Sequence, residues 1–364
     1  MPMKNINIMK ICYVILTLLF VLVACDGNRS DSPIGLFSDE INTIEEEYPV
    51  IDDSIISIDR LQSNNSYLVF IGGHPEKNFS LFSISSGEYI CQFGTFGQGP
   101  GEILRGTEGY LSLDNKFTAF DFAGRIFSYN IDSVVNDRNT TPVPLLRYQI
   151  EDVDLFSQVI PVNDSLFFGA GSYKETYQYV LFDKSSNIID YGVNIFNAFN
   201  NRFNASHKSL SNQGILIKHP VKKIFAYIVF YSSNLDIIEV QENHINVVKM
   251  LRLRNPTGQP TPTDRYYSVD LDVSSPMGYI DIAPGTDYIY ALYTDKKWID
   301  NYGKGNQRNS DIILVFDWEG NPVKKYKLNR EVYCITVNES LNKLFASCIN
   351  SESGWTITAF DLGK

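Results

Sequence analysis

One phrase recurs six times along this chain of 364 residues. It consists of a turn residue, a hydrophobic strand with small residues, a gap, and a second strand that often ends in aspartate. The copies are "NSYLVFIG…FSLFSISSGEYI", "NKFTAFDF…RIFSYNIDS", "DSLFFGAG…YQYVLFDKSSNII", "KKIFAYIV…NLDIIEVQENHI", "DYIYALYT…DIILVFDWEGNPVKKYKL" and "NKLFASCI…WTITAFDL". They start roughly fifty to sixty residues apart, which is room for a four-stranded antiparallel blade with its loops. The runs are short, β-branched and aromatic, turn residues separate them, and no convincing helix interrupts them. One such unit alone leaves open sheet edges, whereas radial repetition hides most of them. The expected fold is therefore all-β, a six-bladed β-propeller of four-stranded antiparallel blades over residues 37–364. The last copy stops at "TITAFDLGK" with no fourth strand after it, and "FSDEINTIEEEYPV" near the start has no blade of its own. The N- and C-terminal strands are thus expected to pair and close the ring. Two stacked β-sandwiches are the competing arrangement, but no linker-like shift in composition supports them.

Ahead of the repeats, Lys4 and Lys10 precede an apolar run, "ICYVILTLLFVLVA". At about fourteen residues it falls short of the roughly twenty that a membrane span needs. A basic start, a short apolar stretch and a small residue before the break describe a signal peptide. Leu22, Val23, Ala24 and Cys25 resemble the lipobox of bacterial lipoproteins. The resemblance implies that Leu22, Val23 and Ala24 are recognition positions and that Cys25 is lipidated after cleavage before it. Residues 1–24 are accordingly expected to be a lipoprotein signal peptide, and residues 25–36, polar and rich in turn formers, a flexible tether. Each buried acyl methylene contributes about 0.8 kcal/mol, so two or three chains anchor firmly. The expected location is the cell envelope, lipid-anchored, at the outer membrane. An ordinary secretory signal with a chance cysteine at its end is the plainer alternative.

A formal net charge of −11 argues against a nucleic-acid partner, because phosphate binding needs concentrated Lys and Arg. Acidity of this size is more commonly a matter of solubility. Beyond the signal region three cysteines remain, Cys91, Cys334 and Cys348. An odd number excludes a complete disulfide framework. Cys334 and Cys348 flank "ITVNESLNKLFAS", which reads as two strands and a turn. They could bond across that hairpin or stay as buried thiols.

The stretch "CQFGTFGQGPGE" has the look of a phosphate loop. A Walker loop would end in Gly-Lys-Ser/Thr, yet Gly101 is followed by Glu102, Ile103 and Leu104. A dinucleotide fingerprint fails as well, with Glu102 in place of the third glycine and Pro100 intruding. What remains is a chain corner, where glycine allows positive φ and proline fixes a turn. "GTFGQGPGEI" with "FDFAGRIFSYNIDS" after it resembles one NHL-type repeat, matching at Gly97, Gly99, Pro100, Gly101, Glu102, Asp121, Arg125 and Ile126. "GYIDIAPGTDYIYALYTDKKW" and "VFDWEGNPVKKYKLNREVYCITVNESLNKLFA" resemble the C-terminal half of the BF3164-like lipoprotein family. That family's propellers are six-bladed and TolB-like, belong to Bacteroidetes envelopes, and have no established reaction. After "ALY" the family often carries a small polar residue and Arg, whereas Thr294, Asp295 and Lys296 follow here.

Catalytic residues do not stand out. Calcium-assisted hydrolases and lactonases on six-bladed rings need several oxygen ligands at the axis. Asp121, Asn163, Asp164 and Asp287 are available, but their spacing reads as turn formers at strand ends. His74, His207, His219 and His244 are scattered singly, which does not suit a zinc site, and no Gly-x-Ser-x-Gly elbow occurs. No cofactor is expected, calcium being the one ion to keep in view. Binding is better served, since inter-blade loops converge on a funnel. Long insertions occur at "GGHPEKNFS", "AGSYKETYQY", "NAFNNRFNASHKS" and "YTDKKWIDNYGKGNQRN". They offer Tyr173, Trp298 and Tyr302 as rings that could stack on a sugar or hold a peptide. The expected function is a membrane-anchored envelope lipoprotein whose non-catalytic propeller binds a protein or glycan. A calcium-dependent hydrolase or lactonase and a structural or assembly scaffold are the alternatives.

Overall fold

Each copy of the repeat closes into one antiparallel sheet. The computed structural model describes residues 31–46, 57–72, 75–104, 108–121, 123–148, 153–174, 176–194, 210–261, 268–301, 308–350 and 354–363. Residues 60–95, 108–147, 153–194, 214–252, 276–332 and 335–361 make blades 1 to 6 of a ring. Within a blade the strands follow one another in sequence order, and the first faces the axis against the first strands of its neighbours.

The position of a strand in its blade decides its composition. Middle strands are covered on both faces by adjacent blades, so their apolar runs are nearly continuous. Leu166–Tyr173, for example, is buried at all eight positions. Outer strands meet solvent, and His244–Arg252 has no fully buried position. The buried apolar side chains form six clusters, each shared by two neighbouring blades. In one seam Phe79 of blade 1 meets Phe117 of blade 2 edge-on at 4.7 Å. In another, Phe168 of blade 3 stacks on Phe225 of blade 4 at 4.4 Å. The core is thus six radial seams rather than one central mass.

The ring closes as the sequence predicts. Glu45–Glu46 supplies the outer strand of blade 6, pairing antiparallel with Gly354–Asp361 through Glu45↔Phe360 and Glu46↔Ala359. Arg330 Nη1 binds Glu45 Oε2 at 2.8 Å, Lys343 pairs with Glu46, and Thr43 Oγ1 donates to the Asp361 carbonyl at 2.7 Å. One addition is unforeseen. Glu40–Thr43 joins blade 5 as a fifth strand, parallel to Pro322–Val332. The same short segment therefore ties two blades.

The tether expected over residues 25–36 is corrected at its end. Pro33–Leu36 is a 3-10 turn with Pro33 buried, Ser32 Oγ donates to Asp295 Oδ2 at 2.6 Å, and Phe37 meets Phe316 edge-on at 5.3 Å. Pro33, Ile34 and Phe37 are apolar, and Ile34 and Phe37 join the seam between blades 4 and 5. Leu22, Val23, Ala24 and Cys25 lie outside the described residues.

The glycine run is a corner between blades 1 and 2. Gly97 and Gly101 have φ of 154° and 78°, and Phe96 bridges to Ile103. The loop consumes its own amides: Gly97 N–H donates to the Ile103 carbonyl, Glu102 N–H to the Gly99 carbonyl, and Gly99 N–H to Glu102 Oε2. A carboxylate folded into the loop leaves it unsuited to a phosphate. The NHL-like pair is also structural. Asp121 is fully buried and accepts from the N–H groups of Ala123 and Arg125 and from Arg125 Nε, at 3.0, 3.1 and 2.9 Å, with Arg125 Nη2 paired to its Oδ2 at 2.6 Å.

Cys91, Cys334 and Cys348 are free and buried. Ile335 pairs with Ala346, which places Cys334 opposite Ser347, whose hydroxyl lies 2.9 Å from its sulfur. Cys348 is then on the other face of the sheet, in the seam of blades 5 and 6, while Cys334 faces blade 1. An offset of one residue sends the two thiols in opposite directions.

Candidate functional site

In an antiparallel blade that starts on the axis, the connection from second to third strand and the crossing to the next blade leave from the same face. The first, second and fourth insertions fall at connections from second to third strand and so belong to one face, the second shortened there to a tight hairpin, while 197–209 lies outside the described residues. The other face carries tight turns held by side-chain caps. Asp183 Oδ1 accepts from Ser185 and Asn187 N–H groups at 2.8 and 2.9 Å, and Asp317 Oδ1 accepts from Glu319 and Asn321 at 3.0 and 2.7 Å.

The first strands bring charge to the axis. Arg60, 8% exposed, contacts Asp281 Oδ1 through Nη1 at 3.2 Å and approaches Glu108 Oε2 at 4.0 Å. Gln158 Nε2 donates to Glu108 Oε2 at 3.0 Å, and Gln158 Oε1 accepts the Leu216 N–H. Asp281 Oδ2 accepts the Ile335 N–H at 2.7 Å. These partners come from blades 6, 5, 1, 2, 3 and 4 in turn, so one polar belt stitches the whole ring. Burial pushes the Asp281 carboxyl pKa up, while Arg60 pulls the other way.

On the insertion side of the belt lies a cluster of rings around an arginine. Arg308 closes the fourth insertion and sits 3.9 Å from the ring centre of Phe230 and 5.3 Å from that of Tyr231, with Nη2 donating to the Ile280 carbonyl at 3.4 Å. Burial lowers its pKa, and among the described residues no carboxylate lies within 4.0 Å of it. Trp298 meets Tyr231 at 6.0 Å, Asn309 Nδ2 donates to Tyr333 OH at 3.5 Å, and Tyr333 meets Trp355 at 4.9 Å. Trp298, Tyr231, Arg308, Tyr333 and Trp355 are all half-buried, neither core nor free surface. Two backbone features support the cluster. Tyr231 has φ of 56°, a costly conformation for an aromatic residue. Gly278 has φ of 74°, and a Cβ there would overlap the Ser232 carbonyl, so the turn holding Tyr231 can rest on the first strand of blade 5 only if glycine stands there.

Of the rings expected on long loops, Trp298 is in this cluster, in the 3-10 turn Trp298–Asn301. Tyr302 lies outside the described residues. Tyr173 is corrected: it ends the strand Leu166–Tyr173, pairs with Tyr177 across a tight hairpin, and is 0% exposed among Phe120, Phe167 and Phe182. Arg308, Tyr231, Tyr333 and Trp355 were not anticipated. The available signals were a lone arginine closing an insertion, and charged Arg60 and Asp281 inside strands next to apolar residues.

The candidate oxygen ligands do not converge. Asp121 is locked to Arg125, Asn163 caps Ser165, Asp287 lies in a turn held by Glu339, and Asp164 lines a cavity on the opposite face. Among the described residues no three His, Cys, Asp or Glu side chains come together to hold a metal ion. His219 is buried, His244 is exposed 3.5 Å from Asp190, and His74 and His207 lie outside the described residues.

Residues 56–340 match the family described as TolB-like 6-blade propeller-like. No curated protein matches the chain. A Bacteroides fragilis protein described as exported is similar in structure, with a TM-score of 0.52 and 13% identity, over 87% of this chain and 94% of that one. A Bacteroides vulgatus member of the DUF4221 family is similar with a TM-score of 0.52 and 11% identity, over 87% of this chain and 97% of that one.

Proposed function

This chain belongs to the TolB-like six-bladed propeller family, and from that premise we propose that it is a lipid-anchored envelope protein of the BF3164-like group that binds a protein or glycan without catalysis. The observation that carries the reading is the half-buried cluster of Trp298, Tyr231 and Arg308, on the face where second and third strands connect. Aromatic rings offer flat apolar faces, and a guanidinium stacked on them adds directional donors. A cluster of this kind suits recognition. The lipobox at Leu22, Val23, Ala24 and Cys25 supports anchoring, and the similar Bacteroides fragilis protein is described as exported.

Two measurements test the reading. The full chain should fractionate with membranes, and Cys25→Ala should release it. Thermal unfolding with envelope glycans and peptides, with and without calcium, should give a rise with one binder and none with the ion. Ligand at a hundred times its dissociation constant stabilises by about 2.7 kcal/mol. Trp298→Ala and Arg308→Gln should abolish that rise while leaving the unliganded melting temperature within a few degrees. A melting temperature that falls in EDTA and returns with calcium would move the assignment to a calcium-dependent hydrolase. A protein that responds to nothing but stays membrane-bound would be a scaffold.

A further inference from the structure

The face opposite the insertions carries a cavity of about 690 Å³ where blades 2, 3 and 4 meet. A volume of this order accommodates a small organic molecule. Leu145, Pro161, Phe167 and Pro220 line it with apolar surface, and Leu113 and Val221, 43% and 70% exposed, stand at its edge. An isolated exposed valine needs no explanation, but one beside a partly open apolar cavity extends the surface a ligand could cover.

The polar groups of the cavity are unevenly matched. Lys116 is held by Asp114 at 2.9 Å, and both are exposed. Lys218 is different. It ends the axial strand Gly214–Lys218, is half-buried, and donates from Nζ to the carbonyls of Pro161 and Val162 at 2.8 and 3.1 Å. Two protons are thus engaged by neutral acceptors, which hold the amine in place but do not neutralise it. Its nitrogen is 5.8 Å from the ring centre of Tyr110, and among the described residues no carboxylate lies within 4.0 Å. Asp114 acts on it only from a distance, so this ammonium pinned at an apolar cavity has no carboxylate in direct contact and is an incomplete pair. Lys184 also lines the cavity, against Asp114 and Asp164, so lysines outnumber carboxylates there in a chain that is acidic as a whole.

We propose that this cavity binds a small amphipathic carboxylate, with the carboxylate on Lys218 Nζ and the apolar body along Phe167 and Leu145. The head group is fixed by Lys218, and the body can be an acyl chain or an aryl ring. Burial lowers the Lys218 pKa, with Lys223 pushing the same way, and a bound anion would offset that cost. The site is separate from the insertion face and stands whether or not that face binds anything.

Calorimetric titration of the full chain with octanoate, 4-phenylbutyrate and their two neutral amides tests this directly. At least one carboxylate should bind, and its amide should bind about ten-fold more weakly or worse. Whichever carboxylate binds more tightly identifies the body. Lys218→Met should erase the preference for carboxylate over amide. Because that change also removes two hydrogen bonds, Val221→Asp serves as a second variant. It places a like charge at the exposed edge and should weaken the carboxylate about ten-fold with no change in melting temperature. Equal binding of acid and amide, undiminished carboxylate binding in either variant, or no binding of any probe at millimolar concentration would overturn the proposal.

Discussion

At the scale of one residue, His219 shows how a side chain's surroundings set its chemistry. Its Nδ1 accepts the N–H groups of Val221 and Lys222, both at 3.0 Å, so that nitrogen must be unprotonated. The ring packs 4.9 Å from Trp318, and burial, aided by the Lys222 charge, lowers its pKa to about 4. An unfolded histidine titrates near 6.5. Between those values the unfolded chain holds the extra proton, so acid favours unfolding. The contribution is complete above pH 6.5 and is lost as pH falls through about 4, up to roughly 3 kcal/mol at 1.36 kcal/mol per unit. Urea unfolding at pH 7 and pH 4.5 should show the loss, and His219→Gln should flatten that part of the profile. Single residues were also the hardest to place from sequence. Tyr173 sits between Ser172 and Lys174, reads as loop, and is core, because sequence does not reveal that a hairpin is short enough to keep its last residue inside.

At the scale of one element, Asp121 and Arg125 define the turn between two strands of blade 2. Removing the carboxylate leaves a largely buried guanidinium and three backbone N–H groups, of Leu104, Ala123 and Arg125, without their acceptor. Asp121→Ala is expected to cost about 3 kcal/mol and to lower the melting temperature without altering ligand binding, which separates its structural role from a functional one. Elements were the most legible level. All six copies of the repeat fell in their own blades, because strand period and turn residues are local properties that a sequence carries openly. The blade-5 strand Glu40–Thr43 was not legible. Its neighbour in space is more than 280 residues away, at Lys325 through Leu328, and no local pattern encodes such a pairing. The candidate site suffered the same limit, since Tyr231, Trp298, Arg308 and Tyr333 meet only after blades 4, 5 and 6 are assembled.

At the scale of the molecule, the axial belt joins all six blades in one polar chain. Arg60→Met would strand the buried Asp281 carboxylate without its cation, at a cost of about 3–5 kcal/mol. Adding Asp281→Asn should restore part of it, because the two residues share one network and their effects cannot be additive. Denaturant unfolding of the two single variants and the double variant reads this coupling directly, and simple addition would remove the belt as an explanation. The closure has a consequence in time. Glu45–Glu46 is made long before the strand it pairs with, the two being more than 300 residues apart in the chain. Until Gly354–Asp361 is made the clasp has no catch, and that strand keeps one edge bare until the two meet. In refolding followed by hydrogen exchange, protection should come last at Glu46. A crowded solution gives that bare edge a second way to be satisfied, the free clasp of a neighbouring chain, so the feature that completes each ring is also the one by which rings could be strung together.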